Sequence, residues 1–203
     1  MKRTPIILSS VGVLAAVTAF GFVLGSNGLF TTPTSPFTTQ SAFPTDSSQA
    51  QEPVDGSAAD PTETAEINEM LTYLIEEEKL AHDVYIALND IWDARVFANI
   101  SRSESTHQDQ VEMLLAEYSI TDPRSSEPGV FVNDELQDLY DTLIAQGSES
   151  RTAAMEVGVL IEKTDITDLT DAMAAIDDPV IDATLQKLLD ASYNHLDAFT
   201  RQI

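Results

Sequence analysis

Cysteine is absent from this 203-residue chain, and lysine and arginine together number 10 against 34 aspartates and glutamates. Without a thiol there is no disulfide, no thiolate metal site, no cysteine nucleophile and no lipid attached through cysteine. Any metal must therefore be held by oxygen and imidazole. Histidine is scarce too, with only His82, His107 and His195. The shortage of positive charge leaves a formal net charge of −24. That field repels nucleic-acid phosphates and anionic headgroups and gathers cations, so it excludes nucleic acid as a partner and favours metal ions. Alternating runs of the β type are missing as well, which removes the sheet-based fold classes.

What is present suffices for one core. Hydrophobic residues make up 43% of the chain, and the length allows a single compact domain with extensions. Lys2 and Arg3 precede an almost uncharged run over 6–24, followed by Gly25 and Ser26. A run of about 19 residues suits either a cleaved signal peptide or an uncleaved anchor with its positive end inside. Both place the remainder outside the cytoplasm, secreted or held on the outer face of the cell membrane, with membrane contact only through this segment. Residues 26–60 are rich in Ser, Thr and Pro and bury too little apolar surface to offset ordering entropy; a disordered linker is expected there.

From residue 61 the apolar spacing becomes helical. Leu71, Leu74, Ile75, Ala81, Tyr85, Leu88 and Trp92 mark a first helix over 62–92, and Ile100, Val111, Leu114, Leu115 and Tyr118 a second over 96–118. Asn133 caps a short helix ending at Gly147; Ser148 is expected to cap a third long helix to Lys163, with a separate short piece over 165–176. Asp178-Pro179 opens a last helix to Thr200. The expected class is all-α, a four-helix bundle with short extra helices over 61–203.

Ionisable residues on apolar faces are the candidates for function, because an unpaired buried charge costs several kcal/mol. The first helix's stripe passes through Glu78; Glu76 reads as part of an exposed acidic patch, and Glu77 lies about 100° from Glu78, so the two can exchange roles. On the second helix Glu104 and His107 form a Glu-x-x-His pair between Ile100 and Val111. Such spacing places carboxylate and imidazole on one face a turn apart, as a bridging Glu and a terminal His require. Glu162 and Asp165 repeat the spacing after Val159-Leu160-Ile161, although Thr164 or Asp165 can equally cap a following helix with Asp168 in its first turn. His195 lies on an apolar face beside Leu188, Leu196 and Phe199. His82, beside Asp83 at the stripe's edge, reads as a solvated surface residue, with a ligand or supporting role as the alternative.

Together, EEEKLAHDVYIAL, NISRSESTHQDQVEMLLAEY, VGVLIEKTDITDL and SYNHLDAF resemble the ferritin-like family catalogued as domain of unknown function 2202, over nearly all of 66–200. The seven-residue spacing from Glu78 to Tyr85 looks like the first helix of ferritin-like proteins generally. The resemblance implies a ferritin-like four-helix bundle with a carboxylate and histidine metal site. Glu78, Glu104 with His107, Glu162 and His195 then take the places of the first-, second-, third- and last-helix ligands. One position departs: Ser192 stands where a standard di-iron bundle has a glutamate three residues before the last histidine. Either Asp165 replaces the missing carboxylate from the neighbouring segment or the site is mononuclear, asymmetric or unoccupied. Iron or manganese, two ions in the fuller form, suit these donors, and zinc is compatible with them. The expectation is an exported metal-binding protein handling O₂, peroxide or the metal itself. The alternative is a non-catalytic helical module that binds a partner or forms an envelope layer.

Overall fold

A computed structural model describes residues 61–203, and within them every regular element is a helix. The signal or anchor segment and the linker expected over 1–60 lie outside the described residues. The helices are α1 (Pro61–Trp92), α2 (Arg95–Glu117), α3 (Asp134–Gly147), α4 (Arg151–Ala175) and α5 (Pro179–Thr200).

Local chemistry sets most of the ends. Asn133 accepts from the backbone N–H groups of Glu135 and Leu136, Ser150 from that of Ala153, and Asp178 from those of Val180 and Ile181, with Pro179 opening the last helix. Two differences from the sequence reading concern α4. Ser148 ends α3 instead of starting α4, and the piece over 165–176 is no separate helix. Neither Gly nor Pro interrupts residues 162–175. Thr167 and Thr170 hydroxyls bond back to the carbonyls of Lys163 and Ile166, so these threonines stay within the helix. Asp165 is consequently a mid-helix residue, not a cap.

Only Asp93 and Ala94 separate α1 from α2, and residues 176–178 separate α4 from α5, so each pair forms a tight helical hairpin. The long helices close a ring in which α1 touches α2 and α4, and α5 touches the same two; α3 packs outside on α1 and α4. Trp92 Nε1 donates to the Gly147 carbonyl at 2.8 Å, tying the end of α3 to the end of α1.

The core has two apolar parts. One gathers Leu80, Tyr85, Phe97, Met155, Ile161 and Phe199; the other gathers Leu71, Ile75, Val111, Leu169, Ile181 and Leu188. Along each long helix the residues between these parts are polar: Glu76 to Lys79, Ser101 to His107, Glu162 to Asp165, and Ser192 to His195. A buried polar layer therefore crosses the bundle between two apolar halves.

In the first half Tyr85, Phe97 and Phe199 pack as tilted rings with centroids 5.1–6.0 Å apart. Gly158 lets the Phe199 ring reach α4, since a Cβ there would lie 2.6 Å from it. Gly158→Ala is expected to destabilise the domain by about 1–2 kcal/mol: overpacking of roughly 1–3 kcal/mol outweighs the helix-propensity gain of up to about 1 kcal/mol. A thermal midpoint equal to or above that of the unaltered protein would contradict this.

Glu76 corrects the sequence reading most plainly. It is only 2% exposed, and its two oxygens accept from the backbone N–H groups of Val132 (2.7 Å) and Asn133 (2.9 Å). The chain between α2 and α3 folds over α1 and buries this face, a contact that α1's own periodicity does not reveal. Glu76→Ala leaves two backbone donors without their charged acceptor and should cost about 2 kcal/mol. Faster proteolytic cutting near residues 130–133, together with a lower melting temperature, is the expected readout.

Candidate metal centre

The polar layer draws one residue or pair from each long helix. Glu78 on α1, Glu104 and His107 on α2, Glu162 and Asp165 on α4, and His195 on α5 are all buried, none more than 8% exposed. Their spacing explains why one layer collects them: residues three apart on α2 and on α4 share a face, and the apolar turns on either side turn that face inward.

Two triads emerge. Glu78, Glu104 and His107 each offer a ligand atom within 4.8 Å of the others, and so do Glu104, Glu162 and His195. Glu104 belongs to both. Its Oε2 lies 2.8 Å from His107 Nδ1 and its Oε1 lies 2.9 Å from His195 Nδ1. Glu78 Oε2 completes one side at 3.1 Å from His107 Nδ1, and Glu162 Oε2 the other at 3.4 Å from His195 Nδ1. The imidazoles lie nearly parallel, 5.5 Å apart. A carboxylate that turns one oxygen to each of two facing donor sets has the disposition of a bridge.

Asp165 is in the layer but in neither triad. Its Oδ2 hydrogen-bonds Ser192 Oγ, which also lies 2.9 Å from the Leu188 carbonyl, while Oδ1 has no partner. One hydroxyl proton cannot serve both acceptors. Burial, reinforced by Glu78 and Glu162, pushes the Asp165 carboxyl well above its usual range. The count closes when a protonated Asp165 donates to Ser192 and Ser192 donates to Leu188.

The electrostatics show what the layer lacks. Burial raises Glu78 to about 7 and Glu162 to about 6, against the pull of His107 and His195 respectively. Burial alone would also raise Glu104, but the two histidines outweigh it and hold it at about 2. Burial alone would lower the histidines; Glu78 and Glu104 override it and lift His107 to about 11, and Glu104 and Glu162 lift His195 to about 9. Protons thus occupy the centre when nothing else does. Among the described residues no lysine or arginine pairs with these carboxylates. Glu104 Oε1 and His195 Nδ1 are close without being aligned for a hydrogen bond, and each is left without such a partner, as is Glu78 Oε1. Buried oxygens left without a partner beside imidazole nitrogens fit cations.

Other residues fall around this centre. The Tyr85 hydroxyl, wholly buried, donates to Glu162 Oε1 at 2.6 Å and leaves Oε2 for the triad. Its position two turns after Glu78 was the available signal. His82 is partly exposed and pairs with Asp83 Oδ1 at 2.9 Å, in neither triad. Glu77 is buried but contacts Asp168, not the histidines. Burial first, and then Asp168, pushes its carboxyl well up.

A model of the uncharacterized protein domain DUF2202 matches residues 66–203. An uncharacterized protein of Methanocaldococcus jannaschii, MJ0754, is 40% identical over 139 residues, covering 68% of this chain and 75% of its own. The crystal structure of that hypothetical protein superposes with a TM-score of 0.66, covering 66% of this chain and 78% of the other. A family match over most of the chain settles its membership: this protein belongs to the DUF2202 family.

Proposed function

We propose that this protein is an exported, ferritin-like metal-binding protein whose four long helices hold a pair of iron or manganese ions between them. The observation that carries the proposal is the sharing of Glu104 by two buried carboxylate and histidine triads. In this reading Glu104 bridges, His107 and His195 bind terminally, and Glu78 and Glu162 close the two ends. Asp165, giving up its proton when the ions bind, adds to the charge balance from outside the triads. Tyr85 orients Glu162 by occupying one of its oxygens. Bound iron or manganese would supply redox capacity toward O₂ or peroxide, or would itself be the cargo; zinc would supply no redox capacity but suits the donors. Export rests on Lys2, Arg3 and the apolar run over 6–24.

Elemental analysis of protein expressed with iron or manganese tests the centre. Two ions per chain are expected, with a clear loss in His107→Ala and in His195→Ala. Equal content in all three proteins would overturn the assignment.

Ser192, standing where a sixth donor would complete a standard pair, favours a second reading: a helical binding or envelope module without a functional metal. Chelation separates the two. An ion bound to the native state alone raises the melting temperature, so chelation lowers it in the first reading and leaves it unchanged in the second.

A further inference from the structure

The two triads are alike in composition and unlike in surroundings. Each has the shared Glu104, one further glutamate and one histidine. The His195 side chain is 10% exposed, the most of the five, whereas that of His107 is 3% exposed. The unshared glutamates differ more. Glu78 keeps both oxygens for an ion, since Oε2 meets only His107 and Oε1 has no partner. Glu162 keeps one, because the Tyr85 hydroxyl donates to its Oε1 at 2.6 Å. A donor on a carboxylate oxygen draws the charge and direction of that oxygen away from an ion. Helix α5 offers no compensation. Ser192 stands one turn before His195 as Glu104 stands one turn before His107, and its hydroxyl is already engaged by Asp165 and the Leu188 carbonyl.

The His107 side therefore offers both oxygens of Glu78, one of Glu104 and a nitrogen, while the His195 side offers one oxygen from each of its glutamates and a nitrogen. Manganese(II), an ion of octahedral preference, takes about six ligands, so the poorer side leaves more positions to water. An ion with fewer protein donors, beside a partly exposed ligand, binds more weakly and exchanges faster. We infer that the paired centre is built unequal: the ion between Glu78, Glu104 and His107 is held permanently, the ion at His195 is exchangeable and carries the positions open to a small ligand, and the Tyr85 hydroxyl sets the difference. The inference rests on the proposed function for the presence of two ions. Tyr85 is a positioning residue in it, acting through Glu162. Removing its hydroxyl should tighten metal binding, because it returns an oxygen to the weaker side.

The test titrates metal-stripped, full-length protein with Mn²⁺, counting bound ions by the loss of the free-ion paramagnetic resonance signal, and then follows their release into chelator. The unaltered protein should bind two ions in steps separated by about tenfold or more in affinity, and release one well before the other. Tyr85→Phe keeps the ring in its aromatic cluster; it should tighten the weaker step by about tenfold, slow that ion's release and leave the tighter step unchanged. A hydroxyl that served only packing would leave both steps alone or weaken them. His195→Ala should abolish the weaker step and His107→Ala the tighter one, and Tyr85→Phe carries the test if either alanine variant does not fold. Two steps of equal strength, or binding that is unchanged or weaker in Tyr85→Phe, would overturn the inequality and keep the pair. A single ion, lost in His107→Ala and kept in His195→Ala, would overturn the pair and keep the unequal sides; the reverse pattern, or no bound ion, would overturn both.

Discussion

Replacing Glu104 with alanine should empty both halves of the proposed metal centre at once, whereas Glu78→Ala and Glu162→Ala should each empty one. The asymmetry follows from geometry: Glu78 and Glu162 serve one triad apiece, while Glu104 gives an oxygen to each. Without it, each ion would keep one carboxylate and one imidazole. The metal-free protein suffers too. Glu104 is the anion between two protonated, buried histidines, and removing one member of a buried ion pair costs about 3–5 kcal/mol. Glu104→Gln keeps the shape but not the charge and should lose the same ions. Elemental analysis beside urea unfolding in chelator reads both effects. If Glu104→Ala retained as much metal as Glu78→Ala, the bridging role would be wrong.

The metal-free domain should lose stability as pH rises from 5 to 10, the reverse of ordinary acid denaturation. Glu162, Glu78, His195 and His107 titrate near 6, 7, 9 and 11 in the folded chain, all above their ordinary values. A raised pKa means that the folded state holds a proton which the unfolded state releases. Its stabilisation is complete below the ordinary values, 4.5 for glutamate and 6.5 for histidine, and is lost as pH climbs through the folded ones. Within the centre Glu104 runs the other way: its contribution is present above 4.5 and lost as pH falls through about 2, outside this window; Asp83, Asp122 and Asp178, also held low, act in the same acidic range. A tenfold change in proton affinity is worth about 1.4 kcal/mol, which moves the midpoint of a domain this size by roughly 3–5 °C. Bound metal replaces these protons, so affinity should rise with pH and flatten the decline. Melting temperatures at pH 5, 7 and 9 in chelator, with molar salt to screen the surface, measure the buried part. A metal-free midpoint that rose across this range would refute the account.

Much of the helical framework was legible because its causes are local. Periodicity of three and four located the long helices, and the caps at Asn133 and Asp178 act within three residues of themselves. Ser148 misled because Ser150 is as good a cap two residues later, and the next turn of helix decides between them. The continuity of α4 was hidden by its threonines and aspartates, whose weak helix propensity is overridden by the packing of Ile161 and Leu169. The six candidate ligands were legible because they are polar residues inside apolar stripes, and the structure brings them into one layer. Asp165 outside the triads was not legible, since one turn along α4 separates it from Glu162 and only the neighbouring Ser192 shows where it is held. Nor was the burial of Glu76, which depends on a segment more than fifty residues away in the chain folding over α1.

The division of the core into two apolar halves has a consequence for motion. A polar stratum spans all four long helices, so the two halves are separated by the one plane in the bundle where cohesion depends on what occupies it. With that plane filled only by protons, each half is free to open by itself, and backbone amides at the two ends of α1 should exchange with solvent at different rates. An ion shared through Glu104, as proposed, would rivet the halves together, and the ends should then exchange as one unit.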